Sequence, residues 1–365
     1  MLAASLAVSC AIAASQSHPQ KAFTGAFTLH GELVELWLET LKPGTIVPWR
    51  TAEGDEIALH EWRGRQVSLL CARDDYDPVL VQRLLDAVDA YWLRCQEICG
   101  NAPPPDPETS MLLGGRPLLV ERVQRVPDAL VSAAEGDVAA PSPAPRHPAV
   151  GLVGVARTSI TTDELESALR GVAAPSRAPL GASLPAALAT NFCFFQSEIG
   201  PITPTRDVTA AYAALLASDA CESLGWFAPA DARPLDAILD RYERDANASY
   251  ASTLADGATG TYETEALWAA FLMRVRHASG KPDFVQRLWR ATSECPPATT
   301  SGEAIANLVV AASSASGADL SQRFLSWRFP VTPETKSRVR EALSPQRLET
   351  TKAMQSAAPK RKPTK

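Results

Sequence analysis

Residues 77–100, DPVLVQRLLDAVDAYWLRCQEICG, carry the clearest structural signal in the chain. Asp77 offers an oxygen to the orphan amides of a helix start. Pro78 follows at the first helical position, where its missing N–H costs nothing and its fixed φ is already helical. Val81, Leu84, Leu85, Val88, Trp92, Cys95 and Cys99 then recur at spacings of three and four, one apolar stripe. Gly100 can close the helix in the left-handed conformation, and the prolines at 103–105 forbid its continuation. A helix with one apolar face must bury that face against another layer.

The flanking sequence supplies the layers. Before the helix, Phe27 to Leu38 is dense in apolar and β-branched residues, Glu56 to Trp62 alternates in part, and Gln66 to Ala72 follows the Arg63-Gly64-Arg65 turn. These predict a small antiparallel sheet. After it, Pro117–Val123 and Val150–Val155 read as further strands, separated by the proline-rich AAPSPAPRHP at 139–148. From residue 162 the pattern is helical. Thr161 stands three residues before Glu164 in a capping box, with Asp163 and Glu164 in the first turn where the helix dipole favours acids. Helices are expected near 184–199, 206–222, 234–246, 262–278, 282–293, 302–315, 318–327 and 333–343, with Pro234, Pro282 and Pro333 at first positions.

The fold class expected is therefore α+β, a small β-rich N-terminal part followed by a mainly helical C-terminal part. Its divisions are a leader at 1–20, a mixed part at 21–138, the proline-rich loop at 139–148, the helical part at 149–345 and a disordered basic tail at 346–365.

The chain has 365 residues and a net charge of −6, and its last fifteen residues hold five cations and no acid. The remaining body is more acidic still, which excludes nucleic acid as the expected partner because phosphates need a basic face. Residues 2–14, LAASLAVSCAIAA, fit the apolar region of an export signal with small-x-small cleavage sites, although no Lys or Arg precedes them. A buried N-terminal helix is the alternative. The run is too short to span a bilayer. The expectation is a secreted or periplasmic protein with no membrane insertion. Cleavage would leave six cysteines, an even number that suits an oxidising compartment, but Cys95 and Cys99 lie four apart on one helix and rarely bridge there. Small buried hydrophobes are the other reading.

Motifs that carry chemistry are missing. The histidines are His18, His30, His60, His147 and His277, and none forms H-E-x-x-H; His60-Glu61-Trp62-Arg63-Gly64 has glycine in the second place and reads as a strand. There is no Cys-x-x-Cys pair, no G-x-S-x-G elbow and no phosphate-cradling G-x-x-x-x-G-K-[ST] loop. Gly151-Leu152-Val153-Gly154 reads as a strand with close packing. Asp74-Asp75-Tyr76-Asp77 could offer oxygens to Ca²⁺ but lacks the twelve-residue loop, so it reads as a solvated turn capping the helix. No cofactor is expected.

The stretch Leu184-Pro185-Ala186-Ala187-Leu188-Ala189-Thr190-Asn191-Phe192-Cys193-Phe194-Phe195 resembles the active-site helix of gluzincin-type metallopeptidases and their secreted bacterial relatives, which reads H-E-L-G-H-N-F followed by aromatics. Asp75-Tyr76-Asp77-Pro78 and the segments 284–289 and 318–327 are similar in style. The resemblance implies a zincin-like helical part and covers about residues 25–345. It places the two zinc-binding histidines at Ala186 and Thr190 and the general base at Ala187, beside Asn191. Alanine offers neither a lone pair for a metal nor an acceptor to activate water. The third ligand, an acid, would be sought among Asp207, Asp219 and Glu222. The resemblance thus implies a degenerate site without catalytic or metal-binding residues. It points to a non-catalytic, secreted protein that binds a peptide or glycan in the former cleft, with Ala186, Ala187, Thr190 and Asn191 as cleft candidates. The alternatives are a hydrolase using carboxylates not placed by the sequence, and a structural envelope-associated protein held by its basic tail.

Overall fold

The helix at the centre of the sequence forms as expected. Helix α1 (Pro78–Cys99) is capped by the Asp77 carboxylate, which accepts from the Val79 amide at 2.8 Å. It ends at Gly100, whose φ of 79° lets its amide bond the Gln96 carbonyl. Val81, Leu84, Leu85, Val88 and Cys95 are buried.

The computed structural model describes residues 21–29, 32–39, 44–51, 56–107, 113–122, 149–174, 176–181, 183–202, 205–227, 234–255 and 262–344, the first two segments by backbone alone. The leader, the proline-rich loop and the basic tail lie outside them. Strands β1 (Lys21–Leu29) and β2 (Glu32–Glu39) form an antiparallel pair of their own. A second sheet contains β3 (Ile46–Arg50), β4 (Glu56–Arg63), β5 (Ser68–Cys71), β6 (Leu118–Arg122), β7 (Ala149–Gly151) and β8 (Arg157–Thr161), ordered β3-β4-β5-β6-β8-β7.

This sheet is mixed and not simply antiparallel. Strands β5, β6 and β8 run parallel, while β3, β4 and β7 pair antiparallel with their neighbours. A parallel neighbour needs a crossover, and α1 is the crossover between β5 and β6. Strands β7 and β8 follow the proline-rich loop in sequence yet join the same sheet, so that loop divides the sequence and not the layers.

Alternation splits the sheet's side chains between two faces. Trp62, Leu69, Leu119 and Ile160 join α1 in the main core, while Val47, Leu59, Leu70, Leu118 and Val120 form a second cluster with Leu113. The sheet curls around that second cluster. The Arg157 guanidinium on β8 lies 5.6 Å from the Trp49 ring on β3, although three strands separate them, and Arg157 also pairs with buried Asp106 at 2.8 Å.

The turn between β4 and β5 is held from α1. Buried Asp89 accepts the amides of Arg65, Gln66 and Val67 at 2.6, 3.0 and 2.8 Å. The stripe on α1 therefore buries a carboxylate that the sequence reading left out, satisfied by backbone donors.

The rest is helical. Helices α2 (Thr162–Gly171), α3 (Ser183–Thr190), α4 (Gln196–Ile199), α5 (Thr205–Ser223), α6 (Leu235–Arg244), α7 (Tyr250–Thr253), α8 (Thr264–Ser279), α9 (Phe284–Ser293), α10 (Ser301–Ser316), α11 (Ser321–Ser326) and α12 (Pro333–Ala342) follow in order. Together with the sheet they make an α+β fold. The helix expected at 184–199 is two helices, separated by residues 191–195. Of the three prolines, Pro333 starts its helix, whereas Pro234 stands at the N-cap of α6 and Pro282 precedes α9. Helix α8 is buried from Ala266 to Met273, and its Phe271 ring meets those of Tyr242 and Phe329 edge-to-face and that of Trp327 at a tilt. No helix among the described residues is long and apolar enough to cross a membrane.

Candidate functional site: the seam between α3 and β7

Helix α3 is short and apolar, and its place is set by neighbours. The Tyr91 hydroxyl donates to the Pro185 carbonyl at 2.7 Å, tying α3 to α1. On its other side the Ala187 carbonyl presses against Gly151 of β7. A Cβ built on Gly151 would stand 1.8 Å from that oxygen, so only glycine permits the approach. The close packing expected of Gly151-Leu152-Val153-Gly154 is this contact at Gly151, but the expected strand stops there and Gly154, with φ of 68°, lies in a turn.

Asn191 closes the seam. It is fully buried, its amide nitrogen donates to the Leu152 and Arg157 carbonyls at 2.8 Å each, and its oxygen accepts from the Thr158 hydroxyl at 2.8 Å. One side chain thus joins the end of α3 to the hairpin of β7 and β8. The amides of Asn191, Phe192 and Cys193 each bond three residues back, a tightened helix end. The Phe192 carbonyl accepts from the Trp289 indole at 2.9 Å, and the Phe192 ring lies 4.7 Å from that of Trp92. The expected sixteen-residue helix is broken here, and the Trp289 indole takes the Phe192 carbonyl that a continuous helix would use internally.

The four positions singled out by the peptidase resemblance can now be placed. Ala186 is half-buried against the core and Ala187 is buried. Thr190 is half-buried, and its hydroxyl donates to the Ala186 carbonyl at 3.0 Å. Asn191 is spent on the sheet. Three of the four lie on one short helix and Asn191 directly follows it, but Ala187 and Asn191 face packed protein and do not line an opening. The acids considered as a third ligand are also engaged. Asp207 accepts from the Thr264 hydroxyl, and Asp219 and Glu222 share Arg276 at 2.9 and 2.6 Å. Its hydrogen bond with Arg276 holds the Glu222 carboxyl below the usual range, whereas burial raises that of Asp219. Among the described residues, no three His, Cys, Asp or Glu side chains are grouped to hold a metal ion.

Other carboxylates are likewise committed to structure. Glu61 accepts from Ser68 at 2.8 Å and pairs with Arg63; Glu121 accepts from the Ala72 amide and the Thr162 hydroxyl at 2.8 and 2.7 Å. Asp77 caps α1 and Asp75 pairs with Arg73, so the acidic turn acts as a capped corner. His60 lies on β4, as its sequence context implied. Capping by Thr161 is half of the expected box. Its hydroxyl accepts from the Glu164 amide at 3.3 Å, while the Glu164 carboxylate takes the Ser183 hydroxyl and steadies the start of α3.

All six cysteines among the described residues are thiols. Burial, helped by the nearby Glu121 charge, pushes Cys71 up to about 12, and burial alone raises Cys193. Such thiols are inert as nucleophiles.

The feature that sequence reasoning missed is the exposed rim of the seam. Val150 and Val153 are 39% and 40% exposed, and β7 ends the sheet with no strand beyond it among the described residues. Residues 149–156 contain no charge and no proline. At the opposite edge, β3 carries Pro48 and the Arg50–Glu56 ion pair, devices that discourage further strand pairing. An uncharged run beside a glycine was the available signal, but a sequence does not say which strand is last.

No protein-family model matches the chain, and no curated protein matches it. Two solved structures from Bacillus anthracis str. Ames, a functionally unknown conserved protein and a mutant described in the same words, are similar at 10% identity, with TM-scores of 0.48 and 0.47. They cover 78% and 80% of this chain, which spans about half of their length (51% and 52%). At that level they carry no argument about function.

Proposed function

We propose that the protein is a secreted, non-catalytic, peptidase-like binding protein whose ligand is an extended peptide taken up along the rim of β7, with a glycan as the competing ligand class. The carrying observation is the contrast between the two sheet edges. Among the described residues β7 is apolar and uncharged beside α3 with no strand beyond it, while β3 carries a proline and an ion pair. An unguarded edge supplies main-chain hydrogen bonds to an added strand, and exposed side chains such as Val150 and Val153 supply selectivity. The alanines at 186 and 187 support the non-catalytic half of the reading, because neither can ligate a metal or activate water.

Two measurements on the purified mature chain test it. Elemental analysis after incubation with zinc is expected to find no stoichiometric metal; zinc-dependent peptide hydrolysis would overturn the non-catalytic reading. Fluorescence anisotropy with a library of labelled eight-residue peptides is expected to find saturable binding that Val150→Lys weakens at least tenfold. Binding of oligosaccharides alone, or peptide binding indifferent to Val150→Lys, would overturn the strand-addition reading.

A further inference from the structure

We draw no further inference here: the strongest candidate, the cluster of Cys71, Tyr76 and Glu121 at the carboxyl ends of the parallel strands β5 and β6, rests on one buried tyrosine hydroxyl without a partner, and with Glu121 already bonded to the Ala72 amide and the Thr162 hydroxyl nothing in the structure shows what ligand it would hold.

Discussion

Helices α1 and α3 are held in place by opposite means. Helix α1 carries its own instructions: a capping aspartate, a proline at the first position, an apolar stripe and a closing glycine. Helix α3 has eight residues, is apolar over most of its surface and stands where Gly151, Asn191, Tyr91 and Glu164 put it. A self-specified helix should tolerate the loss of any one signal. A helix pinned by neighbours should be sensitive to single changes outside it.

The largest expected effect falls on Gly151→Ala. The added Cβ would collide with the Ala187 backbone, which cannot move as a flexible side chain would. Equilibrium urea denaturation should show a loss of about 3 kcal/mol, the upper end for overpacking. A loss below about 1 kcal/mol would mean that α3 is free to shift, and the contrast would collapse.

Asn191→Ala comes next, at about 2 kcal/mol, because it removes the three hydrogen bonds by which a fully buried amide side chain ties the end of α3 to the β7–β8 hairpin. Hydrogen exchange sharpens this test. Protection should fall first in β7, β8 and α3 while α1 keeps its own. Uniform loss across the molecule would argue that Asn191 supports the whole core rather than the seam.

On α1, Asp77→Ala should cost about 1 kcal/mol, the ordinary value of an N-cap. If it cost more than Asn191→Ala in the same denaturation series, α1 would be the more fragile of the two helices.

The smallest effect concerns α10, another helix with self-written signals. Thr300 and Glu303 form a capping box, and bonds from Thr299 and Thr300 hold the Glu303 carboxyl below the usual range. A depressed acid contributes stability above its unfolded value of about 4.3, and that contribution is lost as pH falls through the lower folded value. Glu303→Gln should therefore flatten the acid limb of the thermal-stability profile slightly while leaving neutral-pH spectra unchanged. An identical limb in both proteins would show that the box adds nothing measurable.

Legibility followed the same division. Helices α5, α8, α9, α10 and α12 are close to their expected spans because periodicity and caps are local properties. β8, read as Arg-Thr-Ser-Ile-Thr, was missed because its polar alternation resembles a loop until Leu118–Arg122 pairs with it. The end of α3 was misplaced because Asn191 looks like an ordinary helical residue between Thr190 and Phe192. Its partners Leu152, Arg157 and Thr158 are more than thirty positions away. The sequence marked positions 186, 187, 190 and 191 but could not say that Ala187 and Asn191 would be packed away. The rim at Val150 and Val153 had only an uncharged run beside a glycine as its signal, since exposure at a sheet edge depends on strand order.

By itself the sequence determined the α+β division, the long α1 and most of the helical layer, and it put no histidine or glutamate in residues 184–195. Those are statements about residue types and short spacings, which backbone geometry converts directly into caps and stripes. Only the tertiary structure decided that the sheet is mixed and curled, that α3 stops at Thr190, and that β7 is the last strand of the sheet among the described residues. Each of these depends on contacts between segments far apart in the chain, where a single glycine or a buried amide outweighs the local preference of the residues around it.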